Sequence, residues 1–375
     1  MLCSPLLRWR KRARLFTDLW GKDHRMTDAP VLTPIRPGHE FDQDALKAFL
    51  QGQAEGFDGP LELLQFEGGQ SNPTFLLRTD SGEYVLRKQP PGALLPSAHQ
   101  VDREYRVMKA LGATDVPVPR MIALENEGTV IGTRFYVMEK VEGRVLTDLQ
   151  LPGLTPADRR AVYLDLASVL AKLHGVVPEA QGLADYGRPG NYYTRQISRW
   201  SRQYEASKTE AIDAMDKLMA WLPEQIPETD EPRIVHGDYR LGNVMLHPTE
   251  PKIVAVLDWE LSTLGHPLAD LGYLCMDYHS PGYEGQGLGA IEDLTAHGIP
   301  TEAEMLAHYC QATGRPGIEN WTFYLVYNLF RSAAIIQGVY KRGLDGNAAS
   351  AQALEYKEVC RSRSELAWSL VEQAS

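Results

Sequence analysis

The 375-residue chain has only four cysteines, Cys3, Cys275, Cys310 and Cys360, and none forms a C-x-x-C pair. Scattered thiols exclude a disulfide framework and a cysteine-based zinc site, and they suit a reduced, cytoplasmic protein. No run of about 18 apolar residues occurs, so no membrane-spanning helix is expected. A basic excess is also missing. Acids number 49 against 38 Lys and Arg, a net charge of −11, which argues against nucleic acid as a partner. There are no internal repeats, low-complexity tracts or coiled-coil heptads. The composition is ordinary for a globular protein, 43% apolar and 23% charged, and the length allows two lobes and a large core.

The charge is unevenly placed. Residues 1–25 hold seven Lys or Arg and two Asp, for +5, which leaves −16 on the remainder. A second methionine, Met26, opens a more typical start. Three readings compete for this segment: an extended start, an Arg-rich targeting peptide, or a basic arm. Its two Asp and scarce Ser weigh against targeting. The extended start is preferred, and residues 1–31 are set aside as a disordered or mis-assigned extension.

The chain is organised around Ile234 to Glu260, which reads strand, polar loop, strand, turn, strand. His236, Asp238 and Asn243 are spaced H-x-D-x4-N, and Asp258 follows the apolar run from Ile253 to Leu257. Phosphoryl transfer needs one carboxylate to orient a hydroxyl and take its proton. It also needs an amide oxygen and a second carboxylate to hold Mg²⁺ on the phosphates. An isolated H-x-D could equally be a metal site or a buried hydrogen-bonded pair. A hydrolase metal centre is the weaker reading, because no second His cluster lies nearby.

This spacing resembles the catalytic loop and metal-binding aspartate of the kinase-like superfamily. HGDYRLGN followed by LDWE is similar to its aminoglycoside phosphotransferase branch. PTEAEMLAHYCQATGR, ENWTFYLVYNLFR and AAIIQGVYKRGLDGN resemble the phosphotransferase domain fused to acyl-CoA dehydrogenases in some animal proteins. The resemblance implies an α+β, protein-kinase-like two-lobe fold. Residues 32–143 would be an antiparallel-sheet, nucleotide-binding N-lobe, and 144–375 a mainly helical C-lobe with the catalytic loop and acceptor site. It also implies ATP, Mg²⁺ and a small hydroxylated acceptor. Asp258-Trp259-Glu260 without any A-P-E favours a small molecule over a protein as acceptor.

The rest of the chain supplies the other candidates. Strands are expected at Leu61–Phe66, Thr74–Arg78 and Glu83–Lys88. Between the first two, Gly68, Gly69, Ser71 and Asn72 form a small turn that could point backbone N–H groups at phosphates; an ordinary hairpin is the bland alternative. Strand alternation puts Arg87 and Lys88 on opposite faces, and Arg87 is taken as the cation facing the nucleotide. A helix from Ser97 to Ala110, with a Ser97/Gln100 capping box, would offer Glu104 as its partner. Glu139 and Val141 resemble the interlobe hinge that binds adenine. Thr155 should cap a long helix ending at His174. One helix is expected over Gln196–Trp221, others at Thr301–Gly314 and Trp321–Arg342, and a last at Ala348–Glu372. Asn243 and Asp258 are the metal ligands, Asp238 the base, and Arg240 a possible neutraliser of transferred charge. His236 is grouped with the catalytic residues, as a support of the loop.

The acceptor is less legible. Eight acids between 270 and 320 would suit a polycation, or simply cover solvent-facing helices. Arg331, Lys341 and Arg342 flank the apolar run Ala333–Val339. They could hold a carboxylate or CoA phosphate, or be helix-end charges. The C-lobe resemblance implies a hydroxyacyl-CoA or hydroxy acid. The alternatives are an antibiotic kinase and a non-catalytic nucleotide-binding regulatory domain. For the basic segment the expectation is direct: a chain beginning at Met26 keeps its melting temperature and ATP affinity. A large loss of either would show that residues 1–25 dock on the folded part.

Overall fold

The computed structural model describes residues 31–67, 72–90, 99–280, 287–346 and 351–374. Gly68, Gly69, Ser71, the capping residue Ser97 and all but Val31 of the expected extension lie outside them.

Short alternating strands build the first lobe. β1 (Leu32–Thr33), β2 (Glu62–Phe66), β3 (Thr74–Thr79), β4 (Gly82–Lys88), β5 (Met121–Glu125) and β6 (Phe135–Glu139) form one sheet. Its order is β1-β2-β3-β4-β6-β5, and every neighbouring pair is antiparallel. Period-two alternation along β4 decides which basic residue goes where. Leu86 pairs with Phe75 and Val137, and all three join a core with Leu46 and Leu50 of α1 (Gln43–Gln51). Lys88 turns to that same side, its ammonium 5.0 Å from the Phe41 ring. Arg87 faces the other way, paired with Tyr136, towards α2 (Val101–Leu111).

α2 starts at Val101, four residues later than expected, with Gln100 at its N-cap making no side-chain cap. Val107, Met108 and Leu111 join the large core that runs from Tyr136 of the sheet into the second lobe. Polar anchors reinforce that attachment: Arg103 donates to the carbonyls of Tyr186 at 2.7 Å and Ser262 at 3.3 Å, and Arg106 to that of Gly182 at 2.7 Å.

The second lobe is mainly helical, with two small two-stranded antiparallel sheets. α3 (Pro156–Gly175) begins as the sequence indicates: Thr155 accepts the Asp158 N–H and proline opens the first turn. Its stripe Val162, Leu166, Val169, Leu170 and Leu173 is buried. The helix expected over Gln196–Trp221 is two, α4 (Tyr192–Ser207) and α5 (Asp213–Glu224). The break has a tertiary cause. Gln337 donates to the Ser207 carbonyl at 2.8 Å and the Thr209 hydroxyl at 3.1 Å, removing an acceptor that helix continuation would use. β7 (Arg233–Val235) pairs with β10 (Thr263–Gly265), and β8 (Val244–Leu246) with β9 (Ile253–Val256). α6 (Leu268–Cys275), α7 (Glu302–Thr313), α8 (Trp321–Leu344) and α9 (Lys357–Ala374) complete the lobe. α7 carries the expected Thr301/Glu304 capping box. The last α-helix starts at Lys357, after 3-10 turns over Ala351–Tyr356 rather than at Ala348. Among the described residues, no helix is long and apolar enough to cross a membrane.

α6 crosses α8 at a glycine. A Cβ on Gly272 would lie 2.7 Å from Asn328 Nδ2 and 2.8 Å from the Tyr324 carbonyl oxygen. Alanine in an exposed helix gains about 1 kcal/mol over glycine, but overpacking costs about 1–3 kcal/mol. Gly272→Ala should therefore lower the melting temperature. An unchanged or raised melting temperature would show that the two helices part freely.

Candidate active site

The loop between β7 and β8 is held from beneath by one buried carboxylate. Asp270, in the first turn of α6, accepts the N–H groups of His236 at 2.6 Å and Gly237 at 2.9 Å. His174 Nε2 lies 3.4 Å from the same carboxylate, and its Nδ1 meets the Tyr309 hydroxyl at 2.7 Å. Burial pushes the Asp270 carboxyl up, but His174, His236 and the Gly237 N–H outweigh it and hold it below the usual range. Gly237 has φ +85°, and a Cβ there would sit 2.6 Å from the Leu261 carbonyl oxygen. Only glycine combines that conformation with that approach.

His236 is wholly buried, and both ring nitrogens are engaged. Nδ1 accepts the Asp238 N–H at 3.2 Å, and Nε2 donates to the Leu257 carbonyl at 2.8 Å. Its geometry is that of a brace between loop and strand. Asp238 is displayed at the loop's outer side. Asn243 Nδ2 donates to its carboxylate at 2.7 Å and to its carbonyl at 2.8 Å. Arg240 Nε lies 3.5 Å from the same carboxylate, its own side chain 48% exposed. The Tyr273 hydroxyl, one turn after Asp270, also faces Asp238; burial first, then that carboxylate, pushes its ionisation up.

Asn243 and Asp258 are brought together across β8 and β9, where the Asn243 carbonyl accepts the Leu257 N–H at 2.8 Å. Asp258 is one of the few non-glycine residues with positive φ, at +64°. That left-handed turn at the strand end costs free energy and aims the carboxylate into the cleft. With Asn243 Nδ2 spent on Asp238, its Oδ1 is left to join the Asp258 carboxylate as hard oxygen donors, which fit Mg²⁺. Among the described residues, no group of three or more His, Cys, Asp or Glu could hold a metal, so any ion here would take ligands from its substrate as well.

The sheet delivers a cation to this point. Arg87 Nη2 donates to Asp258 Oδ1 at 2.8 Å, and Glu260 is 3.9 Å away. Arg87 Nε lies 3.1 Å from Glu104 Oε2, an ionic contact without hydrogen-bond alignment. Glu104 is 1% exposed and is held by the Asn72 amide and the Tyr136 hydroxyl, each at 3.0 Å. Burial pushes its carboxyl up to about 7, against the pull of Arg87 and Tyr136. Asn72, expected at phosphates, has its side chain turned inward, with His99 at 3.0 Å on its other side. Glu139 ends β6 and pairs with Arg120, and Val141 lies two residues on in the connection to the second lobe.

The acceptor-side cations need correction. Arg331 is 8% exposed and donates to the Gly237 carbonyl at 2.6 Å, so it is engaged beneath the loop rather than free on the surface. Lys341 pairs with Asp345 at the end of α8, and Ala333 and Ala334 are core residues. Three of the eight acids are engaged likewise: Asp270 is internal, Glu302 meets His279 and Trp321, and Glu304 caps α7. Tyr273 and Arg331 were missed in these roles. A signal existed for Tyr273, which follows Asp270 by three residues on the same helix face.

A sheet lobe over a helical lobe, with this loop in the cleft, defines a kinase-like small-molecule phosphotransferase. Comparison with known proteins agrees. The phosphotransferase enzyme family profile matches residues 62–313, and the chain belongs to that family. Mouse acyl-CoA dehydrogenase family member 10 is 45% identical over 90% of this chain, and human family member 11 is 42% identical over 88%. The chain spans 32% of the first and 43% of the second. A solved Ralstonia eutropha protein assigned to the aminoglycoside phosphotransferases is 51% identical, with a TM-score of 0.83 over 89% of this chain and 99% of that one. Choline kinase from Cryptosporidium parvum shares the fold at a TM-score of 0.60 and 13% identity, over 88% of this chain and 96% of that one.

The buried pair across the sheet and α2 makes a test. Arg87→Ala and Glu104→Ala should each depress phosphoryl transfer, and together cost clearly less than the sum of their free-energy effects. Additive losses in well-folded variants would show that the two act separately.

Proposed function

We propose that this chain transfers the γ-phosphoryl group of Mg·ATP to a hydroxyl of an acyl-CoA or related hydroxy acid. One observation carries the reading. Asp238 is displayed in the cleft by a loop whose backbone is bonded on every side, with Asn243 and Asp258 beside it. In this account Asp238 orients the acceptor hydroxyl and takes its proton late, in a loose transition state. Arg240 offsets charge on the transferred group. Asn243 and Asp258 would hold Mg²⁺, which when bound supplies charge neutralisation on the phosphate oxygens. Arg87, fixed by Glu104, approaches the phosphates, together with the turn of Gly68, Gly69, Ser71 and Asn72. The backbone of Glu139 and Val141 would receive the base of the nucleotide. His236 keeps the loop in register without touching substrate.

The acceptor class draws support from two directions. The relatives that match most of this chain carry acyl-CoA dehydrogenase in their names. A cation also stands at the base: Arg240 lies 3.5 Å from the Asp238 carboxylate with its side chain 48% exposed, and an exposed guanidinium suits an anionic acceptor. The second reading, an antibiotic kinase, is favoured by the assignment of the Ralstonia protein. A panel of hydroxyacyl-CoAs, hydroxy acids and aminoglycosides at matched concentration, read as ADP release and phosphorylated product, separates the two. Turnover of aminoglycosides alone would reverse the assignment. With the acceptor in hand, Asp238→Ala should cut kcat at least about a hundredfold while nucleotide still binds. Asp258→Ala should instead weaken Mg²⁺-dependent nucleotide binding. Near-normal turnover in Asp238→Ala would remove it as the base.

A further inference from the structure

A buried guanidinium needs a reason. Arg331 lies in α8, far in sequence from the catalytic loop, in a core position where a methionine would fill the space without the cost of burying a charge. It is 8% exposed. Its Nη2 donates to the Gly237 carbonyl at 2.6 Å. Its planar head lies 5.3 Å from the Tyr273 ring and 5.7 Å from the Trp200 ring. Burial works against the charge, and the Asp238 carboxylate works for it.

The residue it holds is the one before Asp238. The N–H of Gly237 is already fixed by Asp270, and its C=O is fixed by Arg331, from opposite directions. The carbonyl of Gly237 belongs to the same peptide unit as the N–H of Asp238, which His236 Nδ1 receives. One turn before Arg331, Asn328 donates to the Ala269 carbonyl at 3.0 Å, next to Asp270. Two successive turns of α8 thus support both halves of the loop's mounting. Tyr273 stands between the arginine and the Asp238 carboxylate.

We infer that Arg331 is a positioning residue for Asp238, fixing the Gly237–Asp238 peptide from the acceptor-side helix α8. The inference rests on Asp238 being the base. Loss of this charged hydrogen bond frees the peptide to rotate, so the aspartate spends less time aligned with the acceptor hydroxyl. Nucleotide binding, whose groups lie on Arg87 and Asp258, is untouched.

Arg331→Met keeps the volume and removes the donor; Arg331→Lys keeps the charge and one donor. In the full chain, Arg331→Met should lower kcat about tenfold or more and leave KM for ATP within about twofold, and Arg331→Lys should recover part of the loss. Amide hydrogen exchange gives a readout independent of turnover. In Arg331→Met, exchange over residues 234–243 should speed up while β3 and β4 keep their wild-type protection. Unchanged exchange across 234–243 overturns the inference whatever the activity. Equal falls in kcat and in ATP affinity also overturn it, since that marks general loosening. A wild-type chain that transfers phosphate to no acceptor would instead strike the functional reading, and the exchange result would still decide this one.

Discussion

The site depends first on Asp270, a carboxylate buried where burial alone would keep it neutral. It stays charged because two consecutive loop N–H groups and His174 converge on it. The loop in turn has the shape it has because those N–H groups converge. This is a mutual arrangement with a threshold: remove the acid and two buried donors are orphaned at once, each at a cost of about 1–3 kcal/mol. Gly237 permits the turn, His236 ties it to the end of β9, and Asn243 closes it from the far side. All of these contacts but one are directed at backbone; the exception is the second bond of Asn243, which orients the Asp238 carboxylate itself.

A second chain of charge runs down from the sheet. Tyr136 and Asn72 hold Glu104, Glu104 faces Arg87, and Arg87 reaches Asp258. The order runs from neutral donors in a dry interior through acid and base to the acid at the cleft, so Arg87 stands between two carboxylates. Asp258 adopts a left-handed backbone that a non-glycine residue resists, and the ion pair to Arg87 helps to hold it there.

Much of this was legible because it is local. H-x-D-x4-N and the strand-terminal Asp258 sit within one short stretch, and period-two alternation separates Arg87 from Lys88. Thr155 and Thr301 announce their helices through their own side chains. The unread parts are those set by distant partners. The break after Ser207 is made by Gln337, 130 residues away. Arg331 looks like a surface cation beside an apolar run until its fold-mate, the Gly237 carbonyl, is placed against it. An arginine's sequence neighbours say little about whether its head meets water or a buried carbonyl.

The attachment of α2 has a mechanical consequence. Arg103 and Arg106 fasten it to the helical lobe, while Glu104 is bonded to Tyr136 and Asn72 of the sheet lobe and faces Arg87. The helix is thus a tie-beam between the two lobes, and a shift of the sheet relative to it would strain the contact of Arg87 with Asp258 at the same time.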